Sequence, residues 1–282
     1  MYQLRDLKRR IKAIKSIGHI TNAMKTLASA KIRKAENKFS SMKVFQRYVR
    51  EIFEDIYSCI NVEHSPFFKK ENAGDYVLVI VSADTGFCGS FNYNIIRTAN
   101  DFIEKQKAKG NPHIIAVGRK VISSFKRRKI KTVLDIPKWN PDFATAEKIK
   151  EKFLELYLSG KADKVFAVYS CKAQGLKAQP VTEQILPLKP EKNKRNNGLF
   201  KTEPDPIKAF EGLVPFYLNT LIHRILLESK FQELLFRVQA MTNASENADH
   251  LVDVLTLQYF RARQENITKE IIEITSGAEA MK

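Results

Sequence analysis

The stretch IKAIKSIGHITNAMKTLASAKIRK, residues 11–34, decides how the rest of the chain is read. Ile11 and Ile14 follow Leu4 and Leu7 at steps of three and four, and Ile17, Ile20, Met24 and Leu27 continue with a similar step. Apolar residues at that interval fall on one stripe of an α-helix. The stripe carries on through Ile32, Ala35, Phe39, Met42, Phe45, Val49, Ile52 and Ile56. Gly18 is the only glycine in the first 65 residues and Pro66 is the first proline, so nothing interrupts it. The spacing predicts one helix over residues 1–60.

The other end of the chain mirrors this. Between Pro215 and Gly277 there is neither glycine nor proline, and Val238, Met241, Ser245, Ala248, Val252, Leu255, Tyr259 and Ala262 keep a heptad step. A helix over 207–282 follows, and each terminal helix would be on the order of 80–90 Å long. So narrow a seam belongs to a coiled coil. Neither helix is stable alone in water, so each lies against the other. Because the chain joins them through everything between, an antiparallel pair is the simplest arrangement. An ordinary helical bundle is the alternative, and the middle offers too few helices for it.

The middle alternates. Strands are expected at Tyr76–Val81, 113–117, 130–135, 164–170 and 181–186, with helices at 95–109, 121–128 and 144–158. That pattern describes a mostly parallel, Rossmann-like α/β domain of about five strands over residues 74–190. A polar connector at 191–206, containing Asn196-Asn197-Gly198, leads to the C-terminal helix.

After the first strand comes SADTGFCGSFN, residues 82–92, where α/β enzymes often keep their chemistry. Asp84, Gly86, Cys88 and Gly89 are the residues to weigh. The glycines do not have the dinucleotide spacing G-x-G-x-x-G, and no lysine follows Gly89 as a P-loop requires. A nucleophilic Cys88 would need a base, and nothing in the spacing of His64 or His113 marks either one. The loop reads as a tight turn, and Asp84 and Asp135 as loop caps. The five histidines, His19, His64, His113, His223 and His250, show no H-x-x-x-H pair, so no metal site is expected. Cys59, Cys88 and Cys171 are few, odd in number and scattered, which suits a reducing compartment. No apolar run approaches the roughly 18 residues of a membrane span. The opening MYQLRDLKRR has no signal-peptide core, so any membrane association would be peripheral.

A formal net charge of +17 calls for an anionic partner. Residues 1–50 hold 14 Lys+Arg against two acids, whereas residues 231–282 hold eight acids and five bases. A basic helix facing an acidic one is partly self-complementary, which weakens a nucleic-acid reading. Near the C-terminus, Gln264 and Thr268 share one helix face and Arg263 and Ile267 the next, a density of polar groups that asks for a partner. Glu233 and Arg237 are spaced as an intrachain i, i+4 pair, acid first.

These residues carry a resemblance over essentially the whole chain. Residues 11–34 around the Ile-Thr-x-Ala-Met core at 20–24, the loop at 82–92 and ARQENITKEIIEITSGAEA at 262–280 are similar to three ordered blocks of the γ subunit of F-type ATP synthases. Glu203-Pro204-Asp205-Pro206 and Arg237 with Ala240-Met241 also fit that family. The resemblance implies a central rotor shaft: a non-catalytic subunit, one copy per complex. Its helices would turn inside a hexamer of α and β subunits, and its α/β foot would meet the ε subunit and the membrane ring of c subunits. It implies that ATP, ADP and Mg are bound by partner subunits and no cofactor by this chain. It further implies that Met24, Arg237, Arg263, Gln264, Thr268 and Glu270 contact β subunits and couple rotation to turnover. Nucleic acid is not expected as a partner, and the place implied is the cytoplasmic face of a bacterial inner membrane. His19, Asn22, Thr85, Phe87 and Ser90 depart from the family pattern. The alternatives are a divergent γ-like subunit of a specialised rotary ATPase and, from another class, a basic coiled-coil nucleic-acid-binding protein.

Overall fold

The two ends of the chain are single helices, α1 (Tyr2–Cys59) and α5 (Pro206–Ala280). The computed structural model describes residues 2–59, 66–68, 74–108, 110–171, 178–188 and 206–280. His64 and all of the expected connector except Pro206 lie outside them. Between the helices come β1 (Tyr76–Val81), α2 (Phe91–Gln106), β2 (Pro112–Val117), α3 (Arg119–Arg127) and β3 (Leu134–Ile136). α4 (Phe143–Leu158), β4 (Lys164–Cys171) and β5 (Gln179–Leu186) complete the series. Contacts divide the chain into two units, Ala30–Phe236 and a second formed by Met1–Ser29 with Arg237–Lys282.

In the larger unit the strands form one sheet in the order β3-β2-β1-β4-β5. All neighbours are parallel except β4 and β5. Central β1 shows why the apolar run YVLVIV is a strand buried on both faces. Val77, Val79 and Val81 join one core with α4, Phe53 of α1 and Val214 to Leu226 of α5. Tyr76, Leu78 and Ile80 point the other way, into a core made with α2 and α3. Strand β3 is shorter than the expected 130–135 because the chain is still closing α3 there. Lys129 turns left-handed at φ 58, and Ile130 N–H donates to the Phe125 carbonyl at 3.0 Å. Val133 N–H then ties the chain to the Ile114 carbonyl at 2.8 Å, and pairing starts at Leu134.

The helices in this unit run antiparallel. Phe39 stacks on Phe231, Phe45 meets Phe216 edge-on, and Phe53 packs on Phe210 at 5.1 Å between ring centroids. A polar cluster also fixes α5 to the sheet. Arg224 donates to both carboxylate oxygens of Glu183 on β5, at 3.0 and 2.8 Å, and to Glu228 one turn on at 3.0 Å. Tyr169 on β4 donates its hydroxyl to Glu183 at 2.6 Å. Burial opposes the charge on Arg224, but Tyr169 and Glu183 outweigh it and raise its pKa. Burial, joined by a hydrogen bond to Glu228, pushes the Cys171 thiol up to about 12, so it is not a thiolate at neutral pH.

The smaller unit corrects the expected seam at three positions of α1. Ile17, Ile20 and Leu27 are 53%, 60% and 64% exposed. The buried positions are Thr21 and Ala28 on α1 and Met241 and Ala248 on α5. Leu4, Leu7, Ile11 and Ile14 are half-buried as expected, and the expected α5 stripe from Val238 to Ala262 is buried or half-buried throughout. A Cβ added at Gly18 would stand 3.6 Å from the Ala248 Cβ, so the two backbones approach closely. The Thr21 hydroxyl donates back to the Ile17 and Gly18 carbonyls, at 3.1 and 3.0 Å, and so costs little when buried. Between residues 17 and 28 two stripes on α1 share the same period, and close packing there selects the one with Gly18, Thr21 and Ala28.

Candidate functional site

The loop after β1 holds itself together. Asp84 Oδ1 accepts from the backbone N–H of Arg119 at 3.1 Å and of Lys138 at 2.8 Å, joining three loops at the carboxyl ends of β1, β2 and β3. Asn92 on α2 accepts from Ala83 N–H at 2.9 Å and donates to the Cys88 sulfur at 3.0 Å. Phe87 and Gly89 take left-handed φ of 61° and 54°, the bends that close the turn. Gly118 supports it from β2: at φ 97 it lies against the Ser82 carbonyl, with no room for a Cβ. Trp139 donates its indole N–H to the same carbonyl at 2.9 Å.

None of this makes a catalytic centre. Cys88 is 1% exposed and its neighbour is an amide. His113 pairs in register with Val77 at the start of the strands, whereas Cys88 follows their end. The His113 ring lies 3.2 Å from the Lys161 carbonyl instead. In a doubly wound sheet of this strand order a ligand sits at the carboxyl ends, before the helix that follows the first strand. Here Phe91, the first residue of that helix, is buried and packs on Phe236 of α5 at 5.8 Å. Asp84 is thus the loop cap expected, and Asp135 is an exposed residue of β3. Among the described residues no group of His, Cys, Asp and Glu is arranged to hold a metal ion, and no helix is long and apolar enough to cross a membrane.

The surface that does suggest a partner is on the smaller unit. Several large apolar side chains face outward there: Ile17, Ile20 and Leu27 on α1, and Leu257, Phe260 and Ile271 among others on α5. So much exposed apolar surface marks an interaction site. Sequence periodicity hid the α1 part of this face, because it assigned Ile17, Ile20 and Leu27 to the seam. Of the residues singled out for coupling, Met24 and Arg237 are half-buried, and Arg263, Gln264, Thr268 and Glu270 are exposed. Gln264 and Thr268 lie on one strip with Arg261, Glu265 and Lys269. The Thr268 hydroxyl donates to the Gln264 backbone carbonyl at 2.9 Å. Glu233 belongs to the larger unit, where its buried carboxylate accepts from Lys230 at 2.9 Å.

Comparison with known proteins agrees with this geometry. A family model described as ATP synthase matches residues 3–281. The chain is 34% identical over 286 residues to the ATP synthase gamma chain of Moorella thermoacetica, with all of both chains covered. It is 36% identical over 291 residues to that of Chlorobaculum parvum, again with both chains fully covered. Among solved structures, a chain of the Euglena gracilis mitochondrial ATP synthase shares the fold with a TM-score of 0.68 at 18% identity, covering 99% of this chain and 94% of that one. A chain of the Tetrahymena thermophila enzyme's central stalk and c-ring structure gives a TM-score of 0.60 at 19% identity, covering 80% of this chain and 99% of that one. With the family model matched over residues 3–281 and relatives matched over their full length, the chain belongs to the ATP synthase γ chain family.

Proposed function

We propose that this chain, a central-stalk γ subunit of F-type ATP synthase and not itself the catalyst, couples rotation to the nucleotide state of the subunits around it. The observation that carries the mechanism is the outward apolar surface of the helix pair, which suits enclosure by a ring of partners. An asymmetric rotor makes different contacts with chemically equivalent catalytic subunits, so their affinities for nucleotide differ at any instant. Turning the rotor carries each of them through the same series of states.

In this reading residues 1–60 and 207–282 form the shaft, 74–190 the foot and 191–206 the connector. The shaft stands inside an α/β hexamer that binds ATP, ADP and Mg, one copy of this chain per hexamer. Met24, Arg237, Arg263, Gln264, Thr268 and Glu270 contact β subunits. The foot meets an ε subunit and a c-subunit ring, and the complex works at the cytoplasmic face of a bacterial inner membrane. The excess of cations over residues 1–50 answers acidic β-subunit loops.

The test is Gln264→Leu with Thr268→Val in the assembled complex. Both side chains are exposed, so folding should be unchanged while ATP turnover coupled to rotation falls about tenfold, as loss of one or two hydrogen bonds to a partner implies. Unchanged coupled turnover would remove these two residues from the interface.

A further inference from the structure

The end of α3 and the segment leading to β3 carry five exposed cations within six residues: Lys126, Arg127, Arg128, Lys129 and Lys131. Some surface cations are answered along their own helices, as Arg10 is by Asp6, Arg97 by Asp101 and Lys152 by Glu155. Among the described residues these five form no ion pair, and the nearest acid in sequence, Asp135, is itself exposed. One or two cations in a last turn would satisfy the α3 dipole. Five exceed that need. The backbone beneath them is fixed, by Ile130 N–H on the Phe125 carbonyl and Val133 N–H on the Ile114 carbonyl, at the open edge of the sheet. Lysine also occupies position 129, where a left-handed φ of 58° favours glycine.

We propose that this patch is a docking surface for anionic phospholipid headgroups, an inference that rests on the chain working beside a membrane. A rigid base bearing long cations, of which only Arg127 spends a side-chain N–H on the chain itself (to Ser123), suits a fluid layer of phosphodiesters. A protein partner that reads position would be met by side chains already held in place.

The test uses the catalytic assembly carrying this chain, released from its membrane ring and sedimented with vesicles. Vesicles of phosphatidylglycerol and phosphatidylcholine are compared with phosphatidylcholine alone. The parent assembly binds the anionic vesicles only, and binding weakens steeply with salt. Changing all five cations to Gln lowers the partition by on the order of fivefold per charge, about a thousandfold or more together, whereas Lys105→Gln with Lys148→Gln changes it far less. Equal binding to both vesicle types, or equal binding by parent and five-residue variant, overturns the proposal. So does a variant that fails to assemble with its partner subunits, since the patch would then be a protein interface. Recovery of the catalytic subunits with the unaltered chain is scored first. If that fails, the rotor reading fails, and vesicle binding by the isolated chain decides the lipid claim separately.

Discussion

Arg224→Met tests what holds α5 to the sheet. The guanidinium is 14% exposed, and its partners Glu183 and Glu228 are 35% and 6% exposed. Methionine fills much of the volume but leaves two carboxylates facing each other with only the Tyr169 hydroxyl and the Cys171 thiol as donors. Removing one partner of a buried ion pair costs about 3–5 kcal/mol. Because Glu183 is one-third exposed and partly screened, the low end applies, about 3 kcal/mol. For a large domain each kcal/mol moves the melting point by about 2–4 °C, so a fall of roughly 6–12 °C is expected in thermal denaturation followed by circular dichroism. The companion is Arg224→Met with Glu183→Gln and Glu228→Gln, which removes every charge yet keeps an acceptor for Tyr169 and for Cys171. It should recover at least half of the loss. A single variant that costs less than about 1 kcal/mol, or a triple variant no better than the single one, would refute the view that uncompensated charge is the source.

Two further outcomes follow from the packing. Gly18→Ala places a methyl in ordinary contact with Ala248 and should stabilise the chain by about 0.5–1 kcal/mol through helix propensity. Gly18→Leu should destabilise it by forcing the helices apart, and a neutral leucine would show that the close approach is not required. His223 is half-buried beside the Pro141 carbonyl, and burial lowers its pKa against the opposing pull of that hydrogen bond and of Asp142. The unfolded chain therefore takes up this proton first, at about pH 6.5, and stability falls as pH drops from there to the lowered folded value. In urea titrations between about pH 7 and 5, His223→Gln should show a flatter decline than the parent, and identical slopes would exclude His223 as the source.

Continuous apolar runs made β1 and β2 legible, because a strand buried on both faces needs nothing else to announce it. The start of β3 was not legible: whether Ile130 begins a strand or closes a helix depends on the left-handed turn at Lys129, which no propensity for lysine suggests. The helical seam was legible on α5 and at the start of α1, but its phase slipped over residues 17–27, since Ile17 and Gly18 belong to adjacent stripes and Ala248 on α5 chooses between them. Arg224 gave no signal at all, because its main acceptor, Glu183, lies 41 residues away on another element. The coupling residues came from family resemblance. Spacing alone puts Gln264 and Thr268 on one face and says nothing about what meets them.

The most direct test of the central claim is to watch this chain turn. With the α/β hexamer fixed to a surface and a probe attached to an exposed residue of α4, ATP should drive rotation in one direction, in steps of a third of a turn. A probe that stays still while the same complexes hydrolyse ATP would contradict the account.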